Sequence, residues 1–382
     1  MIKLNEGYIF KEINSIPYIL PYGQNIADFR RSIRLNESGA ILLRAILNGA
    51  DEQDLLLALS SHYDAGASDL PVLKKDIALF LSQLAAAGIL SRTDPASAGC
   101  TPDCYFRIGT FTIAYCGPRE LLYPPLFDFM CESGKPDLTF RVKNTAPAKT
   151  ESATLLIRTE ELTILKNKAS YILLYPKHYG ILEAHISLDG KSADFFCSMP
   201  FDREHAEKLF HAFRFAFLIP AQQRGLFALH SSSIRYRDKA FLFCAPSGVG
   251  KSTHAGLWHS LHNAQILNGD LNLIKFCDNQ RPIVCGIPWC GTSELYTAED
   301  IPLGGIIFLK QDCCDQLLPM ATEDIILQTV WRTISPSWTD EMLGLTIAFA
   351  EKLSKAVPFF HLQCTKEPSA VSLIKEQIDA LF

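Results

Sequence analysis

The sequence predicts a three-part chain that ends in an α/β domain, with a glycine-rich loop joining one of its strands to a helix. Three observations predict it. Residues 226–382 alternate short apolar runs with longer amphipathic stretches, the order expected of a layered α/β fold. One junction between a run and a stretch reads Ser247-Gly-Val-Gly-Lys-Ser-Thr253. Upstream, residues 96–225 are patterned as short strands, and residues 1–95 as a hairpin followed by three helices.

Each element has its own signal. Tyr8-Ile9-Phe10 and Tyr18-Ile19-Leu20, separated by Asn14-Ser15, predict a β-hairpin. A first helix is expected from Asn36-Glu37-Ser38 to the stop at Asn48-Gly49, and a second from Asp51 to His62, opened by acidic residues that suit a helix N-terminus. The spacing of Leu73, Ile77, Phe80, Leu81 and Leu84 predicts a third, over 70–87, ending at Gly88. Residues 91–104 are rich in small residues and proline and read as a linker. Strands are expected at 106–115, 138–142, 155–157, 171–174 and 181–186, each between polar turns. A helix over 202–218 follows, with Ala206, Leu209, Phe210, Phe213 and Phe217 as its core stripe. The last region predicts strands at 228–236, 240–244, 265–267, 271–276 and 305–309, and helices at 251–261, 322–334, 339–355 and 368–381.

Composition narrows the function classes. The 382 residues carry a net charge of −5, so the whole molecule has no basic footprint for nucleic acid or an anionic membrane. No apolar run approaches the ~20 residues that span a bilayer. The start, Met1-Ile-Lys-Leu-Asn-Glu6, has no apolar segment of a secretory signal, which predicts a cytoplasmic chain. Its twelve cysteines are then expected to be scattered reduced thiols. Cys100 and Cys104 are the best metal suspects, but no second pair follows at structural-zinc spacing, and adjacent Cys313 and Cys314 suit a shared ion poorly.

The chemistry points to residues 241–253. An apolar strand, Phe241-Leu-Phe-Cys244, runs into a small-residue loop and then a helix. Gly248 and Gly250 permit backbone conformations closed to other residues, and the loop and helix amides of Ser247, Gly248, Val249, Gly250, Lys251, Ser252 and Thr253 can nest an anion. In such a loop the lysine, Lys251, reaches the terminal phosphates of a nucleotide, and the Ser252 hydroxyl is a magnesium ligand. Ala245 stands where the strict pattern has glycine. A loop of this kind needs a carboxylate at the end of a neighbouring strand, and Asp270 in Ile266-Leu-Asn-Gly-Asp270 fits, as metal ligand or proton acceptor. His230 reaches the same place if its strand pairs with 241–244 through a turn at Arg237-Asp238-Lys239. His254, His259 and His262 read as core or solvated residues of the next helix. Gly286-Ile-Pro-Trp289-Cys-Gly-Thr-Ser293 reads equally as a shaped loop beside a site and as a buried tryptophan plug.

The run from His230 through Ser247–Ser252 to Asp270 resembles the catalytic domain of HPr kinase/phosphorylase, a family related in fold to ATP-dependent phosphoenolpyruvate carboxykinase. The likeness covers about 226–310. It implies a phosphate-loop domain with a mixed sheet, ATP and Mg²⁺ as cofactors, and phosphoryl transfer to a serine hydroxyl. The 286–291 loop resembles one found in uncharacterised relatives of these kinases. That family carries two adjacent aspartates, whereas this chain has Gly269-Asp270, so either Asp270 alone serves as base and metal ligand, or another group supplies the base, or turnover is weak. No equivalent of the family's later basic loop for its protein substrate stands out. Residues 1–92 resemble PqqD-like domains, winged-helix modules that recognise leader peptides of ribosomally made, modified peptides. The resemblance rests on the hairpin, Leu35-Asn-Glu-Ser-Gly-Ala40, the 51–63 helix and the 80–90 end. It implies an extended peptide bound along a strand edge and a helix groove. Nine Lys/Arg against ten Asp/Glu in residues 1–92 disfavour the rival, a DNA-binding winged helix.

The combined expectation is an α+β winged-helix peptide-recognition domain at 1–95, a β-rich accessory region at 96–225 packed on the third part, and an α/β phosphate-loop domain at 226–382. The expected activity is Mg-ATP-dependent phosphoryl transfer to a Ser/Thr hydroxyl on a precursor peptide. Asp270, His230 and Lys251 would be catalytic, and Ser252 and Asp270 would hold the metal. The partner would be the precursor peptide or another hydroxyl-bearing substrate, in a monomer or homo-oligomer. Two other readings stand beside it: a small-molecule kinase with a scaffolding N-terminal domain, and a non-catalytic ATP-binding sensor.

Overall fold

A computed structural model describes the chain apart from residues 1, 6, 24–25, 27–31, 67, 93–100, 146, 148–151, 176–179 and 198–202. It is a mixed α/β protein with two large mixed sheets and a smaller N-terminal domain.

The N-terminal domain comprises β1 (Ile2–Leu4), β2 (Tyr8–Ile13), β3 (Ile16–Pro21), β4 (Ile33–Arg34), α1 (Glu37–Leu47), α2 (Glu52–His62), α3 (Leu70–Ala86) and β5 (Leu90–Arg92). The β2–β3 hairpin turns at Asn14 and Ser15, both at positive φ, and β4 pairs with β3. Local chemistry sets the helix starts. The Asn36 side chain accepts from the Gly39 amide at 2.9 Å, and Asp51 forms a reciprocal capping box with Asp54. The helices bury Leu42, Leu43, Leu55, Leu59, Ile77 and Leu84 together against Ile19 of β3. The pairing of β5 with β1, across the whole domain, was invisible in the sequence. Most of the expected linker, 93–100, lies outside the described residues, and Cys100 with it.

The middle region is a nine-stranded sheet built from β6 (Cys104–Ile108), β7 (Phe111–Cys116), β8 (Met130–Cys131), β9 (Leu138–Lys143), β10 (Thr154–Arg158), β11 (Thr163–Lys166), β12 (Ser170–Leu174), β13 (Ile181–Ser187) and β14 (Ser192–Cys197). The single strand expected at 106–115 is a hairpin, because Gly109 at φ +58 turns the chain between β6 and β7. Strands β8 and β11 are too short or too uniform to alternate and were not expected, nor was β14, although its Ser192-Ala-Asp-Phe195 start alternates. They form because neighbouring strands offer paired edges. Helix α4 (Arg203–Gln223) lies on this sheet, and Phe213 packs on Phe140 and Phe195 with ring centroids 4.7 and 4.8 Å apart.

The third region comprises β15 (Phe227–Tyr236), β16 (Lys239–Cys244), α5 (Lys251–His262), β17 (Gln265–Asn268), β18 (Leu271–Phe276), β19 (Pro282–Cys285), β20 (Ile301–Gln311), β21 (Gln316–Leu318), α6 (Thr322–Arg332), α7 (Asp340–Ala356), β22 (Phe359–Cys364) and α8 (Pro368–Asp379). Strands β16, β15, β18, β19 and β20 pair in succession, and β20 pairs back to β16. The β16–β20 and β20–β22 pairs are parallel, and the others in this sheet are antiparallel. Helices α5 and α8 cover one face, with Trp258, Val371 and Ile374 buried there, and Phe349 and Leu353 of α7 pack on another. The core of the nine-stranded sheet continues through α4 to Leu271, Leu273 and Trp289, so these two parts share one apolar interior.

Ten described cysteines are free, but Cys116 is disulfide-bonded, which corrects the expectation of a fully reduced set. No helix among the described residues is long and apolar enough to cross a membrane.

Candidate functional site

Buried strand β16 stops at Cys244, and the chain loops through residues 245–250 into α5. The loop leaves the sheet where β16 ends beside β20. Gly248 and Gly250 hold φ of +80° and +112°. A Cβ at Gly248 would meet nothing within 4 Å, so backbone conformation and not crowding requires glycine there. Helix α5 starts at Lys251 with no side-chain cap, and its first internal hydrogen bond is from His254 N to Gly250 O at 2.9 Å. The amides of Lys251, Ser252 and Thr253 therefore have no partner within the helix. They open on a polar cavity of about 290 Å³ lined by Ser247, Gly248, Gly250, Lys251, Ser252 and Thr253 on one side.

His230, Gly269, Asp270, Cys290, Thr292 and Ser293 line the other side. The antiparallel pairing of β15 with β16 sets Ser231 opposite Cys244, which brings His230 level with the loop, through the turn expected at Arg237–Lys239. Lys251 Nζ lies 2.8 Å from His230 Nε2, and His230 Nδ1 lies 3.3 Å from Asp270 Oδ1. The consistent proton placement has the lysine donating to Nε2 and the Nδ1 hydrogen facing the carboxylate, an assignment made from the network. Lys251 also donates to the carbonyls of Ala245 at 3.2 Å and Pro246 at 3.5 Å. The hydrogen bond from His230 holds the Asp270 carboxyl below the usual carboxylate range against the opposing effect of burial, with the charges of Arg214 and Lys251 adding to it. Burial pulls the Lys251 ammonium below its ordinary value, and the Asp270 charge opposes that.

Asn268, which sequence reasoning passed over, organises this corner. Its side-chain oxygen accepts from the amides of Asp270 and Leu271, both at 3.0 Å, and its amide donates to Trp289 O at 3.0 Å. The Ser231 amide donates to Asp270 O at 3.0 Å, and the buried Ser232 hydroxyl donates to Lys251 O at 2.9 Å. The available signal was the Asn-Gly-Asp order, since asparagine bonds the backbone two or three residues on.

The 286–293 segment fills both of its expected roles. Trp289 is a buried plug whose indole donates to Phe210 O of α4 at 2.9 Å and stacks near Phe217, while Cys290, Thr292 and Ser293 reach the cavity wall. A Cβ built on Gly269 would lie 2.2 Å from Ser293 Oγ, so Ser293 occupies the room a side chain there would need. Burial pushes the Cys290 thiol up, which keeps it protonated.

The other histidines of α5 stay out of the site. His254 is buried edge-on to Phe243, His259 faces Ala264 O at 3.0 Å, and His262 packs on Trp258. The ligand atoms of Asp312, Cys313 and Cys314 fall within 4.8 Å of one another in an exposed turn, closer than the sequence suggested for the cysteine pair, but no buried partner supports them among the described residues.

No curated protein matches the chain. Residues 26–90 match the family described as Coenzyme PQQ synthesis protein D (PqqD), so the chain carries a PqqD domain near its N-terminus.

Proposed function

We propose that the chain binds Mg-ATP at the 245–253 loop and transfers the terminal phosphoryl group to a hydroxyl on a peptide held by the N-terminal domain. The observation that carries this is the Lys251–His230–Asp270 chain lying beside an uncapped helix start. The donors fit a magnesium nucleotide. Three open amides and a lysine suit the phosphates, and the Ser252 hydroxyl and Asp270 carboxylate line the same cavity and suit the metal. When bound, the nucleotide supplies the phosphoryl group and magnesium spreads its charge. The chain's own residues supply the rest. Lys251, drawn toward phosphate, leaves His230 Nε2, which then becomes free to accept the acceptor hydroxyl's proton. Asp270 orients the imidazole and stabilises its charged form, the division of labour that a histidine–aspartate pair performs elsewhere.

The PqqD domain supports a peptide acceptor. Strand β2 has one paired edge among the described residues, and Ile9 and Ile13 along it are 39% and 50% exposed. Such an edge can add an extended peptide as a further strand, and tethering would raise the acceptor's local concentration. One observation favours a second reading. Ser293 stands in the space of the second acidic side chain, which suits an ATP-binding sensor with slow turnover.

The test is transfer of labelled γ-phosphate to a candidate precursor peptide, with calorimetry of Mg-ATP binding beside it. Lys251→Ala should weaken nucleotide binding by at least about tenfold, the worth of one charge-assisted contact. Unchanged binding in that variant would remove the reading altogether. Binding without transfer to any hydroxyl would leave the sensor.

A further inference from the structure

A second cavity, of about 540 Å³, lies between α4 and the nine-stranded sheet. None of its lining residues belongs to the glycine-loop cavity. Its volume falls within the range of small-molecule sites. Most of its wall is apolar, with Ile164, Ile181, Phe215 and Trp338 contributing. Its polar groups divide between α4 and the opposite wall, which carries Thr159, Glu161 and Tyr175. Lys208, His211 and Phe215 follow helical spacing on the face turned to the cavity, with Arg214 beside them. Glu161 is the one carboxylate in the lining.

The polar atoms here are unusually short of partners. Arg214 Nε, His211 Nδ1 and the Tyr175 hydroxyl are all out of contact with solvent, and none has a hydrogen-bond partner among the described residues. All three residues line this one cavity. The Arg214 guanidinium lies 5.3 Å from the Phe215 ring centroid and forms no ion pair among the described residues. Buried donors left unmade cost free energy, and so does a partly buried cation without a counter-ion. Burial pulls the Arg214 guanidinium down from its ordinary value, and only the Asp270 charge opposes this. Burial first, then the charge of Arg214, holds His211 toward its neutral form, while burial pushes the Tyr175 phenol above its normal range, so both present neutral polar groups.

We infer that this cavity binds a small amphipathic anion, a carboxylate carried on an apolar body of medium-chain size, with Arg214 pairing the carboxylate and the sheet side covering the apolar part. A carboxylate suits a guanidinium geometrically. The inference stands independently of Mg-ATP binding. The two cavities are nonetheless electrically linked, because Asp270 acts on both Arg214 and His211. Filling the second cavity with an anion would offset the positive charge that helps hold Asp270 ionised.

Decanoate and uncharged decanol are suitable probes, titrated calorimetrically against the full chain. Decanoate should bind the wild type more tightly than decanol does. Arg214→Gln should weaken decanoate by at least about tenfold and decanol by much less, as expected for loss of a charge-assisted contact. Ile157→Trp, at a cavity-lining position on exposed strand β10, should weaken both ligands by obstructing the space. Circular dichroism checks that both variants fold. Absence of decanoate binding to the wild type, equal decanoate affinity in Arg214→Gln, or undiminished binding in Ile157→Trp would each overturn the proposal.

Discussion

The PqqD domain and the glycine-loop site handle polar groups in opposite ways. In the domain, helix ends are closed by their own neighbours: Asn36 caps α1, and Asp51 caps α2. At the loop, α5 begins with no cap, and its open amides face a cavity. The domain also shows apolar side chains to solvent, including Leu57, Val72 and Leu79. The loop site shows a chain of a lysine, a histidine and an aspartate, with the lysine buried. On an apolar surface a few contacts carry most of the binding energy, and removal of any other contact changes affinity little. A site made of one linked chain of charges fails at a single atom, because each group orders the next.

That contrast can be broken most directly at Asp270. Asp270→Asn should lower phosphoryl transfer by about 100-fold or more, because the histidine base loses the carboxylate that orients it and stabilises its charged form, with Mg-ATP affinity changed far less. An unaltered rate would show that the linked chain is structural. Its effect on stability has a defined sign. The Asp270 carboxyl is held below its unfolded value, so its pairing with His230 stabilises the fold above the ordinary carboxylate range. The stability gap between wild type and Asp270→Asn should be widest near neutral pH and close as pH falls through the folded-state value, as read from thermal melts.

A smaller effect is expected at Gly269. Gly269→Asp should destabilise the protein by about 1–3 kcal/mol, the usual cost of overpacking, because the new Cβ runs into Ser293. Adding Ser293→Gly should recover most of that stability, and any gain in phosphoryl transfer by the double variant would sharpen the comparison further. If Gly269→Asp alone melts like the wild type, Ser293 does not hold that space. The smallest effect belongs to the domain. Asn36→Ala should cost about 1 kcal/mol through loss of the α1 cap and leave Mg-ATP affinity unchanged. A change in nucleotide binding there would show that the two regions are coupled.

Much of the molecule could be read in advance where its causes are local. The hairpin at Asn14-Ser15, the caps at Asn36 and Asp51, the stops at Gly49 and Gly88 and the start of α5 after Gly250 each depend on residues within about four positions. Strands β5, β8, β11, β14, β19, β21 and β22 were not legible, because short strands are fixed by a partner's edge more than by their own residues. At the candidate site the loop and Asp270 carried recognisable chemistry. Asn268 did not, since its value lies in bonding Trp289 O, 21 residues further along the chain.

The sequence by itself determined the PqqD domain's helices, the glycine loop between β16 and α5, and the single aspartate that follows Gly269. Only the tertiary structure decided that β15 pairs with β16 to set His230 between Lys251 and Asp270, that Ser293 fills the space over Gly269, and that a largely apolar cavity leaves Arg214 without a carboxylate partner among the described residues. The division has a physical cause. Backbone conformation and capping are chosen within a turn of chain, whereas proximity between distant side chains is created by strand register and sheet packing, which no short stretch of residues contains.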